Sequence, residues 1–311
     1  MADARSTVRH LSWAVAGGLA VWAAARVAAA DRVRCTEYPT VPLLSFTPLV
    51  ASAAPWATVG LVLAGRRGPA AAAAAAAAAL GLVVWPRGRP RPQPDAGGPV
   101  LRVLTLNMFV GRADAEVVVA RVRQVEADVL FLQELSAEAV GRLKQAGLDD
   151  LMPYSRIELR VASGIYARFP LGPAPIQQSQ PSALLELPGG EAVELLCVHP
   201  PPPTRKHGGP RRWREALAEL PPPGALPRVV AGDFNATQDH AVFRDVLRLG
   251  YADAAVQAGS ALSPTWGPPG RNALLTLDHV LVTRSCAVLK CSVHFILGSD
   301  HRAVCAEIRL P

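Results

Sequence analysis

The apolar residues of this chain come in two kinds of run, and the change between them near residue 86 limits what it can fold into. Before that point the runs are long, at 11–30, 42–64 and 70–85. Each is near the length of about 20 residues that crosses a bilayer as a helix. From residue 100 onward the runs are short and strand-like, and stretches with helical spacing separate them. The expectation is a membrane part followed by a soluble α/β part.

Each long run has its own irregularity. The first carries Arg26, which can snorkel from near a helix end, and the second carries Pro48 and Pro55, which membrane helices tolerate. The third is short and opens on a run of alanines, so it is only marginally apolar. A cleaved signal peptide is the competing reading of the first run, but no small-residue cleavage site precedes a polar mature start. Three helices place the chain ends on opposite sides of a membrane. The flanking arginines (5, 9, 66 and 67 against 32, 34, 87, 89 and 91) are too evenly divided for the positive-inside rule to decide which side is which. The segment "PRGRPRPQPDAGGP" at 86–99 is too rich in Pro, Arg and Gly for a helix or a central strand, and reads as a semi-extended spacer. The organisation expected is a membrane anchor at 1–85, a linker at 86–99 and a folded domain at 100–311, in a multi-pass cell-membrane protein.

Charge separates the same parts. Residues 1–97 hold ten Arg against four acidic residues, whereas 98–311 hold 22 basic and 21 acidic residues. The basic excess belongs to the anchor. The near-neutral domain lacks the basic footprint of a nucleic-acid binder, which makes nucleic acid the less favoured partner. The cysteines at 35, 197, 286, 291 and 305 have no metal-ligand spacing. Cys197 and Cys305 sit in strand-like runs as buried thiols, and Cys286 and Cys291 could pair in an oxidising compartment.

In the domain, strands are expected at 100–108, 127–135, 161–171, 182–188, 191–200, 228–233, 274–283 and 303–310, with helices at 113–125, 136–147, 211–220 and 240–249. Several connections are too short for helical crossovers, so at least one sheet is mixed, and two sheets packed face to face with helices outside fit the pattern. Polar residues stand repeatedly where apolar runs end: Asn107, then Gln133 and Glu134, His199, Asp233 and Asn235. Asp278 and His279 interrupt a late run, and Ser299, Asp300 and His301 precede the last. Singly, such residues are turn formers or caps. Together, at strand ends that sheets bring into one place, they form a candidate site.

Glu134 and Asn107, with Asp300, offer hard oxygen ligands and no thiolate, which suits Mg²⁺ or Mn²⁺ over zinc. Such an ion neutralises charge as a phosphoryl group is attacked. His301 can move a proton near neutral pH when a carboxylate such as Asp278 fixes its tautomer.

The ordered segments "LTLNM", "FLQE", "SGIYARFPL", "CVHP", "GDFNA", "LDHVLV" and "SDHRAV" make 100–311 resemble the endonuclease/exonuclease/phosphatase superfamily, the fold of DNase I-like nucleases, sphingomyelinases and inositol-phosphate phosphatases. The resemblance implies a four-layered α/β sandwich of two mixed sheets, here preceded by about three transmembrane helices, with the site at the sheets' edge. It implies Glu134 as the principal Mg²⁺ ligand, Asn107 beside it, and Asp300 as an additional metal or supporting group. Asp233 and Asn235 would position the attacking water and hold the phosphate. His199 would contact a phosphate oxygen or protonate the leaving group, and His301, paired with Asp278, would act on the nucleophile or transition state. Gln133 and His279 are expected to support or pack rather than to bind.

The loop 200–217 raises a further possibility: Arg205, Lys206, Arg211, Arg212 and Trp213 as a basic and aromatic lip facing anionic headgroups. The whole plan resembles actinobacterial membrane proteins that include teicoplanin-resistance relatives, in which the catalytic domain faces outside. That resemblance implies a membrane-anchored, Mg²⁺-dependent phosphoesterase in the lipid bilayer, acting on a phosphorylated and lipid-linked substrate. A metal-dependent nuclease and a non-catalytic membrane binding module are the alternatives.

Overall fold

The computed structural model describes residues 2–33, 37–174 and 180–311. The N-terminal part contains α1 (Ala2–Val27), α2 (Glu37–Leu44), α3 (Thr47–Leu63) and α4 (Arg67–Val84). The domain follows with β1 (Val100–Asn107), α5 (Ala115–Gln124), β2 (Val129–Gln133), α6 (Ala137–Gln145), α7 (Leu148–Leu151), β3 (Tyr154–Glu158), β4 (Ser163–Ala167) and β5 (Leu171–Pro173). Its second half holds β6 (Ser182–Glu186), β7 (Ala192–Val198), α8 (Gly209–Ala218), β8 (Arg228–Asp233), α9 (Ala241–Arg248), β9 (Tyr251–Asp253), α10 (Ala254–Gln257), β10 (Asp278–Thr283), β11 (Ala287–Phe295) and β12 (Arg302–Arg309).

Two six-stranded sheets result, in the orders β11-β12-β1-β2-β4-β3 and β5-β6-β7-β8-β10-β9. Each has one parallel pair at its centre, β1 with β2 and β7 with β8, among antiparallel neighbours, so both are mixed. Side-chain alternation builds the layers. Leu101 and Val103 of β1 meet Leu195 and Val229 of the other sheet in a shared core, while Leu104 and Leu106 pack outward with Val118, Val122 and Leu143 of α5 and α6. On the opposite side Val230 and Leu281 pack outward under Trp213, Leu217 and Phe243 of α8 and α9. The expected helix–sheet–sheet–helix sandwich is present.

The expected β-run at 274–283 begins only at Asp278, because Leu275 instead bridges Trp266 in a separate hairpin. Cys197, Cys286, Cys291 and Cys305 are free and buried, so Cys286 and Cys291 do not pair. Burial pushes their thiols up, to about 12 at Cys197 and Cys291 and about 11 at Cys286 and Cys305. Cys35 lies outside the described residues.

Among the described residues, the helix Arg67–Gly88 alone is long and apolar enough to cross a membrane by itself. This is the run that opens on alanines, and those alanines together with Leu80, Leu82, Val83 and Val84 carry its hydropathy. The pair α2 and α3 passes only when joined, across a 75° bend. The long helix α1 falls short, as Arg26 and the Gly17–Gly18 pair dilute it. Three spans are therefore not established by hydropathy.

The N-terminal helices pack directly on the α/β part. Trp13 lies against Gly68 and Ala23 against Ala76 and Leu80, so α1 and α4 run in the same direction, and α3 runs back against α4. Both end at the domain, where Asp239 accepts from Arg26 Nε at 2.5 Å and from Arg87 Nη2 at 2.6 Å and Nη1 at 2.8 Å. Burial alone would raise the Asp239 carboxyl; the guanidiniums of Arg87 and Arg26 overcome this and hold it below the ordinary carboxylate range. Asp31 accepts from Ala241 N at the start of α9 at 2.6 Å, and Val41 of α2 packs into the cluster of Trp213, Phe234 and Phe243. His240 accepts from Thr237 N at Nδ1, which assigns its proton to Nε2, and Nε2 then donates to Val41 O at 2.8 Å. The segment expected as a spacer is extended but lies along the domain as a strap. Arg91 N donates to Gln257 O, Val288 N to Gln93 Oε1 and Gly98 N to Leu310 O.

Candidate active site

Strand register assembles the site. Asn107 ends β1 opposite Gln133, the residue before Glu134, and Val198, before His199, pairs with Gly232. Asp233 ends β8 opposite Asp278, which opens antiparallel β10. His301 immediately precedes β12, beside β1. Gly232 permits the approach of the two central strands. Its φ is +154°, and a Cβ there would stand 1.9 Å from Val198 O, so any side chain would displace Asp233.

Asn107 Nδ2 donates to Glu134 Oε1 and to Asp233 Oδ2, both at 3.1 Å. Its Oδ1 accepts from Phe109 N at 2.9 Å. Its oxygen is thus held by the backbone, and its nitrogen bridges two carboxylates. Glu134 Oε2 accepts from Val110 N at 2.8 Å. Glu134, Phe109 and Val110 all have φ near +50°, a conformation L-residues rarely hold, and strain of this kind gathers where function over-determines the backbone.

His199 Nε2 stands 3.9 Å from Glu134 Oε1 and 3.8 Å from Asp233 Oδ2, and His301 Nε2 approaches the same Asp233 oxygen at 3.7 Å. These gaps exceed a hydrogen bond and suit a bridging water or phosphate oxygen. His301 Nδ1 faces Asp278 at 2.9 Å, while Thr265 Oγ1 accepts from Asp278 N and Leu277 N. Burial opposes protonation of His301, but the carboxylates of Asp278, Asp233 and Asp300 raise its pKa to about 10. Asp233, Asp278 and His301 also lie close enough together to hold a metal ion. The direct Asp278–His301 contact favours reading them as a hydrogen-bonded pair facing Asp233. Asn235 N caps Asp233 Oδ1 at 2.8 Å, and its carboxamide donates to Pro200 O at 3.0 Å, tying β8 to the loop after His199.

Asp300 Oδ2 accepts from Trp266 Nε1 at 3.1 Å, and its Oδ1 is buried with no partner among the described residues. Burial, helped by the Glu134 charge, holds its carboxyl above the ordinary range. An orphaned carboxylate oxygen near a second, rim-exposed carboxylate fits a hard divalent cation, with Glu134 and Asp300 as its donors.

Gln133 supports the site as expected, donating to Thr105 Oγ1 at 3.2 Å and Cys197 Sγ at 3.4 Å across the two sheets. His279 packs against Phe243 and bonds Asp253 Oδ2 at 2.8 Å and Ala236 O at 3.0 Å. Burial opposes its charge, yet these two acceptors raise its pKa. Ser299 Oγ donates to Asn107 O and accepts from His301 N, fixing the turn before β12. Trp266 and Thr265 were not among the expected residues; the only signal was a Thr-Trp pair beside a Gly-Pro-Pro-Gly turn upstream of "LDHVLV". The basic and aromatic lip is corrected in part. Trp213 is fully buried and donates to Phe234 O, Arg211 pairs with Glu215, and Arg205 lies over Tyr38 of α2.

A carboxylate-rich cleft with two imidazoles, at the edge of a double α/β sandwich, is the apparatus of a metal-dependent phosphoric ester hydrolase. The family model of the endonuclease/exonuclease/phosphatase family matches residues 104–301, and the chain belongs to that family. No curated protein matches it. Among solved structures, an endonuclease/exonuclease/phosphatase from Beutenbergia cavernae is 19% identical with a TM-score of 0.51, over 68% of this chain and 72% of that one. A humanized D. rerio TDP2 is 18% identical with a TM-score of 0.52, over 67% and 98%. D. rerio TDP2 complexed with a single-strand DNA product is 17% identical with a TM-score of 0.51, over 67% and 98%. At these identities the likeness is one of fold.

Proposed function

We propose that this chain is a membrane-anchored, Mg²⁺-dependent phosphoesterase whose domain, 100–311, works on a lipid-linked phosphate at the outer membrane surface. The observation that carries this reading is the junction at Asp239. The ends of α1 and α4 close on the loop that leaves Asp233 and Asn235, while Leu82 and Leu63 stay about four-fifths exposed on the helix group. A site fixed to helices with bare apolar faces works beside whatever covers those faces.

Glu134 and Asp300 would hold the cation, which supplies Lewis acidity and neutralises charge on the phosphoryl group. Asp233 orients the attacking water, held in turn by Asn107 and by the Asn235 backbone amide. His199 contacts a phosphate oxygen or the leaving group from the opposite wall. His301, fixed at Nδ1 by Asp278, presents Nε2 to the nucleophile or transition state. Asn235 holds the phosphate and, through Pro200, the loop that carries His199.

The full-length protein is expected to stay in membranes through a carbonate wash, and in vesicles to hydrolyse a phosphoester bond of an embedded lipid. A nuclease is the second reading, because a protein of this fold has been captured with a single-strand DNA product. Cleavage of plasmid DNA at low salt with no lipid turnover would establish it; release into the wash would remove the anchor.

A further inference from the structure

A cavity of about 240 Å³ lies where the anchor meets the domain. Leu49 of α3 with Val84 and Trp85 at the end of α4 form its helix wall; Leu262, Pro264 and Leu274 form much of the domain wall. Among the described residues no carboxylate lines it, and the one cation in the lining, Arg87, is neutralised by Asp239. An anionic polymer or a soluble polyphosphate would find nothing there to bind.

Both ends of this groove lead somewhere. On the outer side, Leu49 is 46% and Trp85 53% exposed, continuous with the bare face of the helix that can cross a bilayer. On the inner side, the lining residues Thr237 and Gln238 follow directly from Asn235. Leu275, also in the lining, bridges Trp266, which bridges His301 and holds Asp300. A chain entering from the membrane side would therefore have its head end beside the site.

We propose that this groove binds one acyl chain of a glycerophospholipid whose phosphate reaches the cleft of Asp233, Glu134 and His301. The inference rests on the membrane-bound phosphoesterase reading and adds the part of the substrate that the chemistry does not touch. Hydrocarbon is what the wall selects: burying each methylene contributes about 0.8 kcal/mol, so excluding two of them costs roughly tenfold in affinity.

The test uses the full chain in vesicles containing a phosphatidylglycerol with a photoactivatable diazirine on one acyl chain. Crosslinks are expected on the domain peptide 261–276 as well as on α3 and α4, and Leu49→Trp or Ser52→Trp, which fill the groove, should lower the domain crosslinks about tenfold. The same variants should raise KM for the long-chain lipid and leave turnover of a short-chain soluble phosphodiester unchanged. Labels confined to the helices, or domain labels unaffected by both variants, would overturn the groove. Domain labels in a protein that hydrolyses no phosphoester would keep the groove and reject the enzymatic reading. A polyprenyl phosphate that displaces the label while phosphatidylglycerol in excess does not would overturn the acyl assignment.

Discussion

Replacing His301 by alanine lowers kcat on a phosphoester by about 10²- to 10⁴-fold, the range expected when a positioned proton-handling group is removed, with the fold retained. The turn before β12 is fixed by the backbone amide of His301 on Ser299 Oγ and survives the substitution, and Asp278, whose carboxyl burial already raises, takes up a proton when its imidazole partner is gone rather than staying as a buried charge. The side chain has one partner on each nitrogen side: Asp278 at Nδ1, and Asp233 beyond a 3.7 Å gap at Nε2. Asp278→Asn keeps the shape but removes the charge that orients and supports the imidazole, so it also slows turnover. The two residues act as a unit, and the double variant should be no slower than His301→Ala alone. Steady-state kinetics of the three variants check this; multiplicative losses would show that the pair does not work together.

Asp239→Ala has the second large effect, and on stability. Its carboxylate is fully buried between two guanidiniums that are themselves nearly buried. Removing one partner of such a group leaves uncompensated charge inside the protein, at a cost of about 3–5 kcal/mol. The expected result is a lower thermal midpoint in detergent, with protease cleavage appearing between the helices and the domain. Because the folded pKa of Asp239 is depressed, its contribution is complete above the unfolded carboxylate value of about 3.9 and is lost as pH falls through the lower folded value. Asp239→Ala should therefore remove part of the acid-dependent loss of stability. A variant as stable as the parent would mean that the N-terminal helices are only loosely seated.

Much of the site was legible because polar residues at the ends of apolar runs are a local signal. Asn107, Glu134, His199, Asp233, Asp278 and His301 all stand where a strand starts or stops, and the two parallel central pairs bring those ends together. The roles of single atoms were not legible. Which way the Asn107 carboxamide turns depends on Phe109 N, and whether Asp300 has a free oxygen depends on Trp266, distant in sequence.

The missed strands share a cause. β3 and β9 are short, and β11 interleaves Lys290, Ser292 and His294 at a sheet edge, with a bulge between Val288 and Lys290. Edge strands carry such polar and irregular features, and their apolar pattern is correspondingly weak. Trp213 was misread for the opposite reason. A basic helix of high polarity hides one fully buried face, and only the packing of Val41 and Phe234 reveals it. The joining of the N-terminal helices to the α/β part had no signal in the sequence, since Arg26, Arg87 and Asp239 lie far apart in the chain.

The most direct test of the whole account is phosphoester hydrolysis by the full-length protein, read as release of phosphate or of the cleaved alcohol or phosphomonoester, from phospholipids, polyprenyl diphosphates, inositol phosphates and DNA, with Mg²⁺ and with excess EDTA. Glu134→Gln, which keeps the side chain's shape and removes its charge, serves as the control. The account predicts Mg²⁺-dependent release from a lipid, abolished by EDTA and by Glu134→Gln. Release that persists in EDTA, or that Glu134→Gln leaves at full rate, would contradict it.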